Sequence, residues 1–288
     1  MTARRYADAT TAQLERLYRP LVAARLFPDQ ATLVAVHRTR PWAIQVNARG
    51  DVAVLDRWRD HLDLLAIEAL WCPHRDLPAA VTDLHVCATD HGFSGLVSPP
   101  VLEADVPFYR AAGLTIREML ETLETTLGPS AQTAEPGMSM VRAASPTDIS
   151  AILEVDAACF TPFWRYDRRL LERFCAAGGL AVAEHDGRCL GYTLVTVDRG
   201  TAVLGRLCVE PQSRRRGVGM HLLRSALERA CAADARHVTL STQGDNAAAL
   251  SLYRAAGFRL TGRRYAFLTL GSDLKGGEGD RIDPFVGD

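Results

Sequence analysis

Val209-Glu210-Pro211-Gln212-Ser213-Arg214-Arg215-Arg216-Gly217-Val218-Gly219-Met220 joins a run of strand character, Val203 to Val209, to a strongly helical one, Val218 to Ala233. Three arginines and two glycines fill the join. An anionic pyrophosphate needs such an arrangement, because a helix start offers unpaired N–H groups and a partial positive charge. Glycine at 217 and 219 removes side chains that would hold a ligand away from the backbone. Arg214, Arg215 and Arg216 add charge and fork-shaped donors. Gly217-x-Gly219 is followed by His221 and Leu222, which breaks the pattern G-x-G-x-x-G, and no Gly-Lys-Ser/Thr is present. The dinucleotide fingerprint and the P-loop are therefore both excluded.

Around this stretch the second half of the chain reads as an ordered series. Met138 to Ala143 is a strand, and Ser145-Pro146-Thr147-Asp148 starts a helix with its cap, its first-turn proline and an acid at the positive end. The aromatic segment Phe163-Trp164-Arg165-Tyr166 is either a roof over an acceptor pocket or packing between two helices. Leu180 to Glu184, Leu190 to Val197 and Ala202 to Val209 form an antiparallel meander with a turn at Asp186-Gly187. After the loop come a helix, a strand at His237 to Thr242, a helix from Asn246 to Ala256 ended by Gly257, and closing strands at Phe258 to Leu260 and Tyr265 to Leu270. This is an α/β (α+β) fold with a mixed, mostly antiparallel sheet flanked by helices.

The first half carries a fainter version of the same series. Strands are expected at Ala31 to Val36, Trp42 to Val46, Val52 to Leu55 and Leu62 to Leu70, then Pro73, a helix from Leu77 to Ala88 and a strand from Leu96 to Val101. Tyr109-Arg110-Ala111-Ala112-Gly113 recurs letter for letter at Tyr253 to Gly257. The order of elements matches as well, which points to a tandem duplication. Between Pro73 and His91 the first copy has no glycine, so its loop is not built to close round a pyrophosphate. The expected boundaries are 1–127 for a degenerate first domain, 128–138 for a Pro/Gly-rich linker, 139–270 for the second domain and 271–288 for a Gly/Asp-rich tail.

Composition bounds the partners. The 288 residues carry a net charge of −1 and are 48% hydrophobic and 23% charged, as in a globular chain long enough for two domains. A globally basic nucleic-acid binder is not indicated. No apolar run is long enough to span a bilayer, and Met1-Thr2-Ala3-Arg4-Arg5 does not open a signal segment, so a cytoplasmic protein is expected. The seven cysteines are scattered without C-x-x-C, which favours reduced thiols over a disulfide framework or a metal site.

The pieces Leu207-x-Val209-x-Pro211, Arg214-x-x-Gly217-x-Gly219 and Asp245-Asn246-x-x-Ala249-x-x-x-Tyr253-x-x-x-Gly257-Phe258 together resemble the GNAT superfamily of N-acetyltransferases. Within it the second half looks most like the ribosomal-protein alanine acetyltransferase branch, and the tandem layout resembles mycothiol synthase. The resemblance implies acetyl-CoA as donor and direct attack by a primary amine, of a small molecule or a peptide, with the protein a monomer or homodimer. It implies that the backbone of Leu207, Cys208 and Val209 pairs with the pantetheine arm. Arg214, Arg215, Arg216, Gly217, Val218, Gly219 and Met220 would hold the pyrophosphate, Asn246 would contact the arm, and Tyr253 would be the general acid. In the alanine branch a glutamate base sits where this chain has Ser241. Glu210, Glu184 and Asp156 are the possible substitutes, and a low-pKa α-amine would need the least help. A protein that binds CoA without turnover, or one that uses another acyl group, fits the same motifs.

Overall fold

The computed structural model describes residues 5–24, 26–27, 29–59, 63–128 and 141–271. The expected linker from 129 onward, residues 138–140 of the strand before Ser145, and the tail from 272 lie outside these. The described chain divides into two units. One comprises residues up to 118 together with 265–271, the other residues 119–264.

The first unit begins with β1 (Ala7–Asp8), α1 (Thr11–Ala23) and α2 (Gln30–Thr39). Ala31 to Val36, expected as a strand, is helical. Asp29 caps this helix by accepting from Thr32 N at 2.7 Å, and so short an apolar run does not by itself reveal its period. β2 (Ile44–Val46), β3 (Val52–Arg57) and β4 (Leu64–Trp71) form an antiparallel meander. A short 3-10 turn and α3 (Leu77–Asp90) lead to β5 (Gly95–Val97), which pairs with β4 in parallel. β6 (Val101–Leu102) and α4 (Val106–Ala111) follow. α3 covers one face through Ala80, Leu84 and Ala88 over Leu65, Ile67 and Leu96; α1 and α2 cover the other through Leu14, Leu21 and Leu33 over Ile44 and Val54.

Two long strands are divided between the units. β7 (Thr115–Thr126) passes from the first into the second at Met119. The second unit continues with β8 (Val141–Ala143), α5 (Ile149–Cys159) and α6 (Arg168–Ala176), then the meander β9 (Leu180–His185), β10 (Arg188–Asp198) and β11 (Thr201–Val209). α7 (Val218–Ala232), β12 (His237–Gln243) and α8 (Ala247–Ala255) complete the series. The last strand, β13 (Arg259–Leu270), was expected as two short ones; it is continuous, and its residues from Tyr265 on belong to the first unit, where they pair with β5 and β6.

In the second unit α7 and α8 bury Leu222, Leu223, Ala226, Leu250 and Tyr253 on one face of the sheet. α5 and α6 bury Ile152, Val155, Cys159 and Leu171 on the other, over Leu180, Val182, Tyr192 and Cys208. At its start Arg142 donates to both Asp148 oxygens at 2.8 Å, and Asp148 closes a capping box with Ser145. Those bonds hold the Asp148 carboxyl well below the usual range.

The two units carry one register pattern in common. β4 and β5 share three parallel rungs, Leu64–Gly95 to Ala66–Val97, and β11 and β12 share three, Thr201–His237 to Val203–Thr239. Each leading strand then carries a one-residue bulge, at Glu68 and at Gly205.

Close packing of α7 on the sheet depends on Gly191. A Cβ there would lie 2.5 Å from Cys208 O, 3.0 Å from Leu222 Cδ1 and 3.1 Å from Val209 Cα. A Cβ at Gly219, in the first turn of α7, would meet only Leu252 at 3.5 Å and Val209 at 3.7 Å. The expected outcome in urea denaturation is a loss of about 1–3 kcal/mol for Gly191→Ala. Gly219→Ala should instead leave stability unchanged or raise it by up to about 1 kcal/mol.

Candidate active site

The strand β11 sets the site. Beyond Val203 it has no partner on β12 among the described residues, whereas β12 remains paired with β7 along its whole length, from His237–Thr126 to Gln243–Leu120. The two strands therefore part after three rungs. One edge of the segment from Leu204 to Val209 is left open, while the other stays paired to β10. An open strand edge offers backbone donors and acceptors to an extended, amide-bearing ligand.

At the far end of that edge the chain makes a 3-10 turn, Pro211–Ser213, and enters α7. Arg215 (φ 59°) and Gly217 (φ 81°) are left-handed, the backbone pattern from which a nest of successive N–H groups is built. Such a nest, placed at a helix start, is an anion-binding concavity. The N–H groups of Gly217, Val218 and Gly219 donate to no acceptor among the described residues. Met220 N is different, since it already donates to Gly217 O at 3.0 Å.

The two glycines do different jobs. Gly217 supplies the positive φ. Gly219 has ordinary backbone, and its absent Cβ would point inward at Leu252 and Val209, not out at a ligand. The arginines also differ. Arg214 folds back, its Nε donating to Val209 O at 3.2 Å, where Cys159 Sγ also donates at 3.3 Å. Arg215 and Arg216 are exposed at the mouth of the nest.

Cys208 is fully buried beneath α5, and burial pushes its thiol well up. Its neighbour Leu207 faces the α7 side with Val209, both in the core. Asn246 caps α8, its Oδ1 accepting from Ala249 N at 3.0 Å, which leaves Nδ2 without a partner among the described residues. Tyr253 is 6% exposed and packs against Phe258 at 5.8 Å between ring centroids. Burial holds its phenol above the ordinary tyrosine range, so it stays protonated at neutral pH. Its hydroxyl hydrogen-bonds to nothing among the described residues.

None of the three expected substitutes for a base is disengaged. Glu184 is paired with Arg142, and Glu210 with Arg188 at 3.1 Å and with Ser213 Oγ at 3.2 Å. Asp156 is buried to 1% and lies 3.6 Å from Arg206 Nε. Ser241 faces Thr122 on β7, with 3.4 Å between their hydroxyl oxygens.

The Arg206–Asp156 pair was not anticipated. The guanidinium of Arg206 sits 3.8 Å from the ring centroids of both Phe160 and Tyr166 and donates to Trp164 O at 2.8 Å. Asp156 accepts from Tyr166 N at 2.9 Å and from the Tyr192 hydroxyl. The aromatic segment is thus stapled to the sheet beside the parting of β11 and β12. Arg165 donates to Phe160 O and Ala157 O, both at 3.1 Å, and so closes the end of α5. A signal for the staple was present in the sequence: an arginine inside an otherwise apolar strand requires a buried counter-charge.

Among the described residues no three His, Cys, Asp or Glu side chains lie together as a metal site would require, and no helix is long and apolar enough to cross a membrane.

A family model described as the acetyltransferase (GNAT) family matches residues 149–258. Over 125 residues the chain is 31% identical to a Bacillus subtilis protein described as a ribosomal protein bS18-alanine N-acetyltransferase, covering 42% of this chain and 82% of that one. Over 80 residues it is 39% identical to mycothiol acetyltransferase of Clavibacter michiganensis, covering 28% of this chain and 26% of that relative. In fold it is similar to a tandem GNAT protein from the clavulanic acid biosynthesis pathway, with TM-score 0.64 and 16% identity over 95% of this chain and 99% of the other. A GCN5-related N-acetyltransferase from Sphaerobacter thermophilus gives TM-score 0.61 and 18% identity over 98% and 99%.

Removing Arg206 should leave Asp156 as an uncompensated buried charge. Arg206→Met is expected to destabilise by about 3–5 kcal/mol in urea denaturation. Adding Asp156→Asn should recover part of that loss, because the neutral amide no longer leaves a charge buried.

Proposed function

Because the chain belongs to the GNAT family of acetyltransferases, we propose that its second unit transfers an acetyl group from acetyl-CoA to a primary amine. The observation that carries this reading is the open edge of β11 running into the nest at the start of α7. The pyrophosphate fits the N–H groups of Gly217, Val218 and Gly219 with Arg215 and Arg216 at the rim. The pantetheine arm then follows the edge past Val209 and Leu207, with the Asn246 amide facing it. Laid out this way, the thioester reaches the point where β11 and β12 part.

Acetyl-CoA supplies an activated acyl carbon and a thiolate leaving group. The chain supplies the rest. Tyr253 holds a proton for the departing sulfur, and its burial keeps that proton in place at neutral pH. The wall of Phe160, Tyr166 and Arg206 shields one side of the attack path. An α-amine suits the site, because about a tenth of such a group is already neutral at pH 7, against well under a thousandth of a lysine side chain.

The first unit is read as a non-binding copy. Its helix α3 places Pro78 in the first turn, which removes one N–H, and Asp76 at the N-cap puts a carboxylate where a phosphate would sit. Asp76 is itself paired with Arg49 at 2.8 Å.

Calorimetric titration with acetyl-CoA should give one site per chain. Arg215→Glu together with Arg216→Glu, which reverses the charge at the exposed rim of the nest, should lower the affinity at least tenfold. Two equivalent sites, or none, would overturn this reading.

Tyr253→Phe should lower kcat by about 10²-fold or more while acetyl-CoA affinity stays within twofold. The readout is release of free CoA thiol with a panel of amines, including a peptide with a free N-terminal alanine.

A further inference from the structure

Attack on a thioester requires a neutral amine, and Ser241 cannot take the proton. The registers of the second unit place a carboxylate on the rung at which β11 and β12 part. Val203, the last residue of β11 paired with β12, lies opposite Thr239, and Thr239 lies opposite Glu124 on β7. These three form one rung across three strands. Directly opposed residues share a face of the sheet.

Leu123, Val238 and Leu240 point into the core under α7 and α8. Alternation therefore turns Glu124, Thr239 and Ser241 to the other face, the one that carries α5, α6 and the Arg206 staple. That face is open here: Val203 is 44% exposed, and Ser241 and Glu124 are exposed. Strands about 4.8 Å apart put Glu124 roughly one strand spacing from Thr239 and two from Val203. A carboxylate at that distance reaches a bound amine through one water.

The other carboxylates are occupied or elsewhere. Glu121, three residues earlier on β7, opposes Thr242 on the α8 side and is paired with Arg264 at 3.0 Å. Asp156 is committed to Arg206. Asp198 lies at the hairpin end, on the Thr201 rung. Glu124 makes no hydrogen bond or ion pair among the described residues. His237 on β12 and Arg259, Arg263 and Arg264 on β13 are the titratable or charged groups of the flanking strands in this unit, and none is paired with Glu124.

We propose that Glu124 is the general base of this acetyltransferase, taking the proton of the acceptor ammonium through a water above Thr239 and Ser241. The inference rests on the reaction proposed above. The ammonium gives one proton through the water to Glu124, and the freed lone pair forms the C–N bond to the thioester carbon. As the C–S bond breaks, the sulfur takes the Tyr253 proton. The nitrogen then returns its second proton to the tyrosinate through solvent, and Glu124 releases its own to bulk water. The products are the amide, CoA thiol and one proton.

The test compares the full chain with Glu124→Gln and Glu124→Asp, measuring CoA thiol release against pH with an amine that the wild type accepts. Calorimetry with acetyl-CoA serves as the control for folding and donor binding. Glu124→Gln should lose at least tenfold in kcat/KM for the amine at pH 7, with acetyl-CoA affinity unchanged. The deficit should shrink as pH rises toward the acceptor's own pKa, and Glu124→Asp should keep part of the rate. A merely structural residue would not produce that convergence. Wild-type rates and pH profile in Glu124→Gln, on an amine that the wild type acetylates, would overturn the assignment of Glu124 alone. A wild type that acetylates no amine would overturn the proposed reaction and this assignment with it.

Discussion

Two parallel strands that stay together for three rungs and then part are the constraint on which the second unit turns. A sheet interior normally pairs every backbone group, because an unpaired buried amide costs about as much as a lost hydrogen bond. Here β10 and β7 hold the outer edges, and past Val203 and Thr239 the facing edges of β11 and β12 are both left unpaired. The bulge at Gly205 bends β11 at the parting and reverses the alternation of its side chains. Leu204 and Leu207 consequently both face the α7 side, while Arg206 and Cys208 face α5. Without the extra residue Arg206 would point into the apolar layer beneath α7.

Arg206 then fixes the rest of that wall. A charge this deep is tolerable only where a counter-charge and polar or aromatic neighbours offset its lost hydration. Asp156, Trp164 O and the two flanking rings supply these. The segment between α5 and α6 is consequently held by one side chain of the strand that it overhangs. Its shape and the course of β11 are a single structural decision, made at the bulge.

The sequence was most legible where the structure is local. The loop, the cap at Ser145 and helix α7 were all readable, because each is set by neighbours within a turn or two. Ala31 to Val36 was misread because six apolar-leaning residues fit either period, and the deciding group, the Asp29 carboxylate, lies outside the run. β7 was missed for the opposite reason. Its alternation, Thr-Ile-Arg-Glu-Met-Leu-Glu-Thr-Leu-Glu-Thr-Thr, is diluted by polar residues on both faces. With β7 unseen, no reading of the sequence could set Glu124 beside Thr239, since that neighbour relation spans more than a hundred residues. The Arg206–Asp156 pair was hidden in the same way, by a contact fifty positions apart.

The end of β13 bears on the order in which the chain is made. Its residues from Tyr265 on complete the sheet of the first unit, through Leu270 opposite Leu96 and Tyr265 opposite Leu102. On a ribosome, domains ordinarily fold as they emerge, the N-terminal one first. That order is closed to this protein: its first unit lacks a strand until the last residues of β13 leave the exit tunnel. During synthesis the edge of β5 stays exposed while the entire second unit is translated. Slowing elongation should therefore prolong the interval in which that edge waits for its partner strand.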